Sequence, residues 1–226
     1  MKPRNIWFCG YREWALEIHS HASRHVDYPI PLLRSQEEFE EHMAQFGEED
    51  LFLFIGWSWI IPKSFVDTHT CICLHPSPLP KYRGGSPLQH QIIRGEEDSA
   101  VTFFLMDEYL DKGPILFVES FSLAGSLDDI YKRITKGGKR GIEYLTTNYL
   151  KRVPLGGVLQ DESQKSYFKR RTPEMSEIKA EDFANLAAID VYNKVRALQD
   201  PYPNAFIRCK DNTRILLKIV EVERAT

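Results

Sequence analysis

Two periods of hydrophobicity alternate along this chain. Short, wholly apolar runs are followed by longer stretches in which apolar residues recur at helical spacing. Residues 5–9 (NIWFC) form the first apolar run and Gly10 ends it. Residues 11–22 then return to a helical period, a β-turn-α opening of Rossmann type. No G-x-G-x-x-G is present, so no dinucleotide is inferred. His19, His21 and His25 are read as a solvated helix face and its exit. Pro31-Leu32-Leu33 reads as a short second strand, and Ser35 with Glu38 as the capping box of a helix. Residues 51–55 (LFLFI) are apolar throughout, which predicts a strand covered on both faces.

Pro62 is expected to open a short helix leading to a strand at 71–75, where period 2 puts Cys71, Cys73 and His75 on one face. Ser86-Pro87 reads as N-cap and first residue of a helix to about Arg94. Residues 100–106 and 114–123 are predicted strands. Ser126 starts a long helix to about Leu150, which Gly137-Gly138 is expected to kink or divide. This alternation predicts an α/β fold over residues 1–152, a Rossmann-like, mostly parallel sheet with helices on both faces.

Composition shifts at residue 153. Residues 153–171 are polar, carry a proline and two glycines, and read as a linker across the first domain. Phe183, Ala187, Val191, Val195 and Leu198 predict one helix with a single apolar face, stopped by Pro201-Tyr202-Pro203. Strands at 205–209 and 214–222 around Asp211-Asn212 predict a hairpin. Residues 153–226 are therefore expected to be a linker plus a small C-terminal helix and β-hairpin subdomain.

Charge and cysteine usage narrow the function classes. The net charge of −3 leaves no electrostatic footprint for nucleic acid as a partner. No apolar run reaches the length of a membrane span and no signal-peptide pattern opens the chain. Cys9, Cys71, Cys73 and Cys209 include no C-x-x-C, so a disulfide framework and a metal site are both unexpected. Reduced thiols fit a cytoplasmic protein.

The candidate chemistry lies between the strand at 71–75 and the turn at 106–113 (MDEYLDKG). Prolines 76, 78 and 80 restrict φ and remove three backbone donors, and glycines 84 and 85 let the chain turn tightly or approach a ligand. A histidine at one strand end and a carboxylate after another could meet at one sheet edge, as a general base and its orienting partner. Trp57, with Trp59, could wall a flat ligand or fill the core. Lys169-Arg170-Arg171 could grip a diphosphate or serve as plain surface.

HPSPLPKYRGGSPLQ followed by VTFFLMDEYLDKGPIL resembles the signature of the formyltetrahydrofolate-dependent formyltransferases. That signature is Asn-x-His-x-Ser-Leu-Leu-Pro-x-x-x-Gly, then a Gly-Val-Thr strand and a Met-Asp-x-x-Leu-Asp-Thr-Gly turn. The resemblance makes His75 the catalytic histidine and Asp111 the catalytic aspartate. It puts Ser77, Pro78, Leu79, Pro80, Gly84 and Asp107 beside the folate donor, and Trp57, Lys81, Arg83 and Arg170 among the acceptor contacts. Three positions depart from the signature: Cys73 stands where the family has its catalytic asparagine, Pro78 where it has a leucine, and Lys112 where it has a threonine. A thiol is only a weak donor to an oxyanion. An acyl-enzyme on Cys73 is disfavoured, because an apolar strand raises a thiol's pKa.

The implied reaction moves a formyl group from N10-formyltetrahydrofolate, without a metal, to an amine. Within the family, the sugar N-formyltransferases fit best, acting on a dTDP- or UDP-linked 4-amino-4,6-dideoxyhexose for O-antigen and related surface glycans, as homodimers. Glycinamide ribonucleotide and methionyl-tRNA are the competing acceptors. A catalytically silent folate- or nucleotide-binding module is the further alternative, given Cys73.

Overall fold

The computed structural model describes residues 5–223. The first half of the chain lays down β1 (Ile6–Cys9), α1 (Glu13–His25), β2 (Leu32–Leu33), α2 (Gln36–His42), β3 (Leu51–Ile55), α3 (Lys63–Val66) and β4 (Thr70–His75). Then come β5 (Arg83–Gly84), α4 (Pro87–Ile93), β6 (Asp98–Leu105), β7 (Ile115–Ser122) and α5 (Leu127–Leu150). The remainder holds β8 (Tyr167–Phe168), α6 (Ala180–Asn185), α7 (Ala188–Ala197), β9 (Phe206–Arg208) and β10 (Arg214–Leu216).

Six strands form one sheet in the order β2-β1-β3-β4-β6-β7. The first four run parallel, β6 runs antiparallel to β4, and β7 runs antiparallel to β6. All five residues of β3 are buried, because side chains alternate between two packed faces. On one face Phe8, Leu53, Ile72 and Phe103 join a core with Ile18 of α1 and Ile134 and Ile142 of α5. On the other, Trp7, Phe52, Phe54 and Cys71 pack with Phe39 of α2 and Phe65 of α3. This is the expected α/β architecture with a mostly parallel sheet between helices. No helix among the described residues is long and apolar enough to cross a membrane.

Gly137-Gly138 does not divide the long helix; α5 is continuous over 24 residues. Its glycines instead let the helix lie close to the sheet. A Cβ at Gly141 would stand 2.3 Å from Cε2 of Phe103, and one at Gly137 would stand 3.1 Å from Cγ2 of Val101. The capping box at Ser126 starts the helix through Asp129.

The predicted single helix at 183–198 is two helices. The Asp190 carboxylate accepts from the Ala187 N–H at 3.2 Å, capping α7 and breaking the run at Leu186-Ala187. Phe183 is consequently 56% exposed rather than part of one apolar stripe. The hairpin forms, over shorter strands than predicted, with Arg214, Ile215 and Leu216 opposite Arg208, Ile207 and Phe206. Ser86 precedes α4 but does not cap it with its side chain, which accepts from the Arg171 N–H at 3.1 Å instead.

The polar stretch at 153–171 is pinned at two places. Val158 bridges Ile115, and β8 pairs in parallel with β5. Beyond it, Ile178, Val195, Leu198 and Ala205 are buried in the same cluster as the α1 and α5 face.

Gly141→Ala is predicted to destabilise the protein although alanine is the better helix former. Overpacking against a fixed ring costs about 1–3 kcal/mol, against roughly 1 kcal/mol gained in propensity. The thermal midpoint should fall by several degrees; an unchanged or higher midpoint would mean that Phe103 can step aside.

Candidate active site

Parallel strands β1, β3 and β4 end together, in register through Cys9, Phe54 and Cys73. Open α/β sheets present their ligands at such a carboxyl-terminal edge. His75, the last residue of β4, is 6% exposed and lies opposite Thr102 of β6. Its Nε2 is 2.8 Å from the carbonyl oxygen of Tyr82. A carbonyl only accepts, so Nε2 carries the hydrogen and Nδ1 keeps the free lone pair of the neutral ring.

Nδ1 faces Oδ2 of Asp111 at 3.7 Å, with both side chains at most one-tenth exposed. That gap exceeds hydrogen-bond length, so the Tyr82 carbonyl, not Asp111, sets the tautomer of the neutral ring. Asp111 is itself held from the other side. The same Oδ2 accepts from the Gly84 N–H at 2.8 Å, and the residue's φ is 54°, left-handed for a non-glycine. One short loop, Tyr82 to Gly84, therefore anchors both groups.

That loop is fixed by its own bonds. Ser77 is buried; its hydroxyl donates to the Lys81 carbonyl at 2.8 Å, and its carbonyl accepts from Thr102 Oγ1 at 2.7 Å. Leu79 is buried and Pro78 and Pro80 are half-buried. The Tyr82 hydroxyl donates to Glu96 at 2.5 Å; burial and that carboxylate push the phenol up to about 12. Gly84 has φ 95°, and a Cβ there would fall 2.2 Å from the Phe168 carbonyl oxygen. Its close approach is to β8, and its N–H is spent on Asp111.

Arg83, expected to contact acceptor, turns inward at 6% exposure. Its Nη2 donates to Gln160 Oε1 and to Glu162 Oε1, each at 2.7 Å. The Arg83 hydrogen bond holds the Glu162 carboxyl down at about 2. Lys81 and Arg170 are exposed, with the Arg170 backbone packed on Gly85. Arg171 instead bends back, Nη2 donating to the Met175 carbonyl at 2.5 Å. Asp107 is half-buried and accepts from the Tyr109 N–H at 2.9 Å. Trp57 packs edge-on to Phe54 and Trp59, and its indole nitrogen is buried without a partner among the described residues.

Cys73 is half-buried on the His75 face, its Sγ 3.6 Å from the Leu74 carbonyl. Burial, then the negative charge of Asp111, then Cys71 push its thiol well above the ordinary range. At neutral pH it is an S–H group. No cluster of three or more potential metal ligands occurs among the described residues.

His75, Asp111, Cys73, Ser77 and Gly84 thus converge, whereas Lys81 and Arg170 lie out on the surface of the neighbouring segments. Sequence reasoning passed over Gln160 and Ser166. Gln160 Nε2 bonds the carbonyls of Asp111 at 3.0 Å and Gly113 at 2.8 Å, and Ser166 Oγ accepts from the Tyr82 N–H at 2.8 Å. Neither belongs to a local motif, and the bridge from Val158 to Ile115 and the parallel pairing of β5 with β8 bring that segment here. Chemically, the arrangement offers a base with one free nitrogen, and a carboxylate facing the cation that forms when it takes a proton.

Residues 17–144 match the formyl transferase family. A methionyl-tRNA formyltransferase of Rickettsia bellii (strain RML369-C) is 31% identical over 180 residues, covering 78% of this chain and 56% of that protein. The chain spans little more than half the length of the curated relatives it matches. Among solved structures, the methionyl-tRNA formyltransferase from Clostridium thermocellum has a TM-score of 0.74 at 27% identity, covering 95% of this chain and 97% of that one. A 4-N formyltransferase from Francisella tularensis has a TM-score of 0.79 at 18% identity, with coverage of 98% and 99%. A sugar N-formyltransferase from Shewanella sp FDAARGOS_354 has a TM-score of 0.73 at 16% identity, again covering 98% and 99%. The likeness to these last two is one of fold.

The raised thiol predicts that Cys73 resists iodoacetamide in the folded protein at neutral pH and labels once the chain is unfolded. Rapid labelling of the native protein, read by peptide mass, would contradict the charge environment described.

Proposed function

The chain belongs to the formyl transferase family, and from that membership we propose that it moves a formyl group from N10-formyltetrahydrofolate to the amine of a nucleotide-linked amino-deoxy sugar. The observation that carries the chemistry is the single free nitrogen of His75 facing Asp111 at the sheet edge. The donor would supply the electrophilic formyl carbon.

In this mechanism Nδ1 of His75 takes the proton that the amine loses as the new C–N bond forms. The Tyr82 carbonyl keeps Nε2–H in place throughout. Asp111 stabilises the imidazolium, which then returns its proton to the leaving nitrogen. The oxyanion that develops lacks the amide donor of the family signature; the positive charge of the protonated His75 is left to offset it, with the weak Cys73 S–H as the remaining donor. Positioned base action is worth about 10²–10⁴-fold, and one oxyanion donor about 10²–10³-fold.

Support for the sugar acceptor comes from 29 basic against 32 acidic residues; the end-to-end likeness to the Shewanella enzyme is matched by that to the Clostridium thermocellum methionyl-tRNA enzyme and does not separate the two acceptors. The curated relatives favour the alternative, methionyl-tRNA. A polyanionic acceptor, however, is ordinarily met by a surplus of lysine and arginine. Ser77, Pro78, Leu79, Pro80 and Asp107 are assigned to the donor, and Trp57, Lys81 and Arg170 to the acceptor. Arg83 and Gly84 are reassigned to holding the loop. The proposal extends to a division at residue 152, a cytoplasmic homodimer and use of the product in surface glycans.

The test is incubation with N10-formyltetrahydrofolate and a panel of amino-sugar nucleotides, with charged initiator tRNA alongside, followed by product mass. A formylated sugar is expected. A formylated tRNA with every sugar unchanged would replace this acceptor by the alternative. His75→Ala should lose about 10²–10⁴-fold in turnover. Cys73→Asn should gain turnover by restoring an amide donor; a loss would show that the thiol itself is needed.

A further inference from the structure

The turn that presents Asp111 is built from an unusual conformation, and one side chain from a distant segment completes it. Asp111 has a left-handed backbone, φ 54°, in the turn between β6 and β7. Its carbonyl and that of Gly113 both accept from Gln160 Nε2, at 3.0 and 2.8 Å. The orientation of that amide is dictated by chemistry. Arg83 Nε and Nη2 lie 3.1 and 2.7 Å from the other end of the group, and a guanidinium only donates. That end must be the oxygen, which leaves the NH₂ facing the two carbonyls. Arg83 is buried and tied to Glu162 as well, so the clamp is rigid.

We infer that Gln160 is a positioning residue for Asp111: its amide bonds the carbonyls on either side of Lys112 and so sets where the carboxylate stands relative to His75. The residue touches no reacting atom. It acts through the turn, and Arg83 acts through it. The same segment steadies the other partner, because Ser166 Oγ accepts the Tyr82 N–H next to the carbonyl that anchors His75. The crossing at 158–168 is thus part of the site's framework.

The rate arm of this inference rests on the proposed transfer chemistry, while the structural arm does not. Gln160→Glu is the informative variant. It has the same reach and retains an acceptor for Arg83, yet presents no donor to the two carbonyls. Gln160→Ala removes both. Both variants should lower kcat by about 10–100-fold with KM for donor and acceptor little changed, since small misplacements of catalytic groups act on the transition state. A role confined to holding the segment through Arg83 would instead leave Gln160→Glu with wild-type kcat, and that result would overturn the inference.

The structural arm is amide hydrogen exchange in Gln160→Ala. The Gly84 N–H, whose acceptor is Asp111 Oδ2, should exchange faster, roughly tenfold or more. The neighbouring Gly85 N–H, bonded to the Phe168 carbonyl at 2.8 Å, should keep its wild-type rate. Equal acceleration of both amides, or of neither, would overturn the inference. Were the wild-type chain to formylate no acceptor at all, the functional proposal would fall, and the comparison of Gly84 with Gly85 would still decide the role of Gln160.

Discussion

The hydrogen bond from His75 Nε2 to the Tyr82 carbonyl is the constraint on which the site depends. It is short at 2.8 Å, buried, and made to a group that can only accept. The neutral imidazole is thereby left with one lone pair, on the nitrogen that faces Asp111. Two residues further along, the Gly84 N–H reaches the same carboxylate from behind. A base and its counter-charge are thus referenced to the same few peptide units.

That loop needs support from the rest of the fold, because it carries three left-handed residues at Tyr82, Gly84 and Ser86. Support comes from opposite directions. Thr102 of β6 holds the Ser77 carbonyl and Gln91 of α4 holds that of Pro76, both from within the α/β core. Ser166, Phe168 and, through Arg83, Gln160 hold it from the segment that follows α5. The close seating of α5, made possible by glycines at 137, 138 and 141, brings the start of that segment back to β7 and the site.

Electrostatics separate the roles of the two polar side chains on the site face of β4. His75 has a carboxylate beside it and a fixed donor bond, which suit it to gain and lose a proton. Cys73 lies in the same strand, where burial and the Asp111 charge both oppose the thiolate. Burial first, and the Asp111 charge after it, leave the thiol protonated and proton transfer to the imidazole.

The strand and helix periods alone determined the sheet class. LFLFI could only be a strand covered on both sides, and Ser35 and Ser126 each sit where the N-cap chemistry of a helix requires them. His75 and Asp111 stood out through the motif that joins them, which resembles the formyltransferase signature; a strand-end histidine and a turn aspartate would not by themselves have singled them out. Other features depended on partners far away in the chain. Gly137-Gly138 looked like a break, but Val101 and Ile18 make it a contact. Arg83 looked like a ligand contact, but Gln160 and Glu162, nearly eighty positions on, turn it inward. Periodicity reports which way a side chain faces relative to its own backbone. Which atom meets it there is decided only when β5 pairs with β8 and the crossing segment closes over the loop.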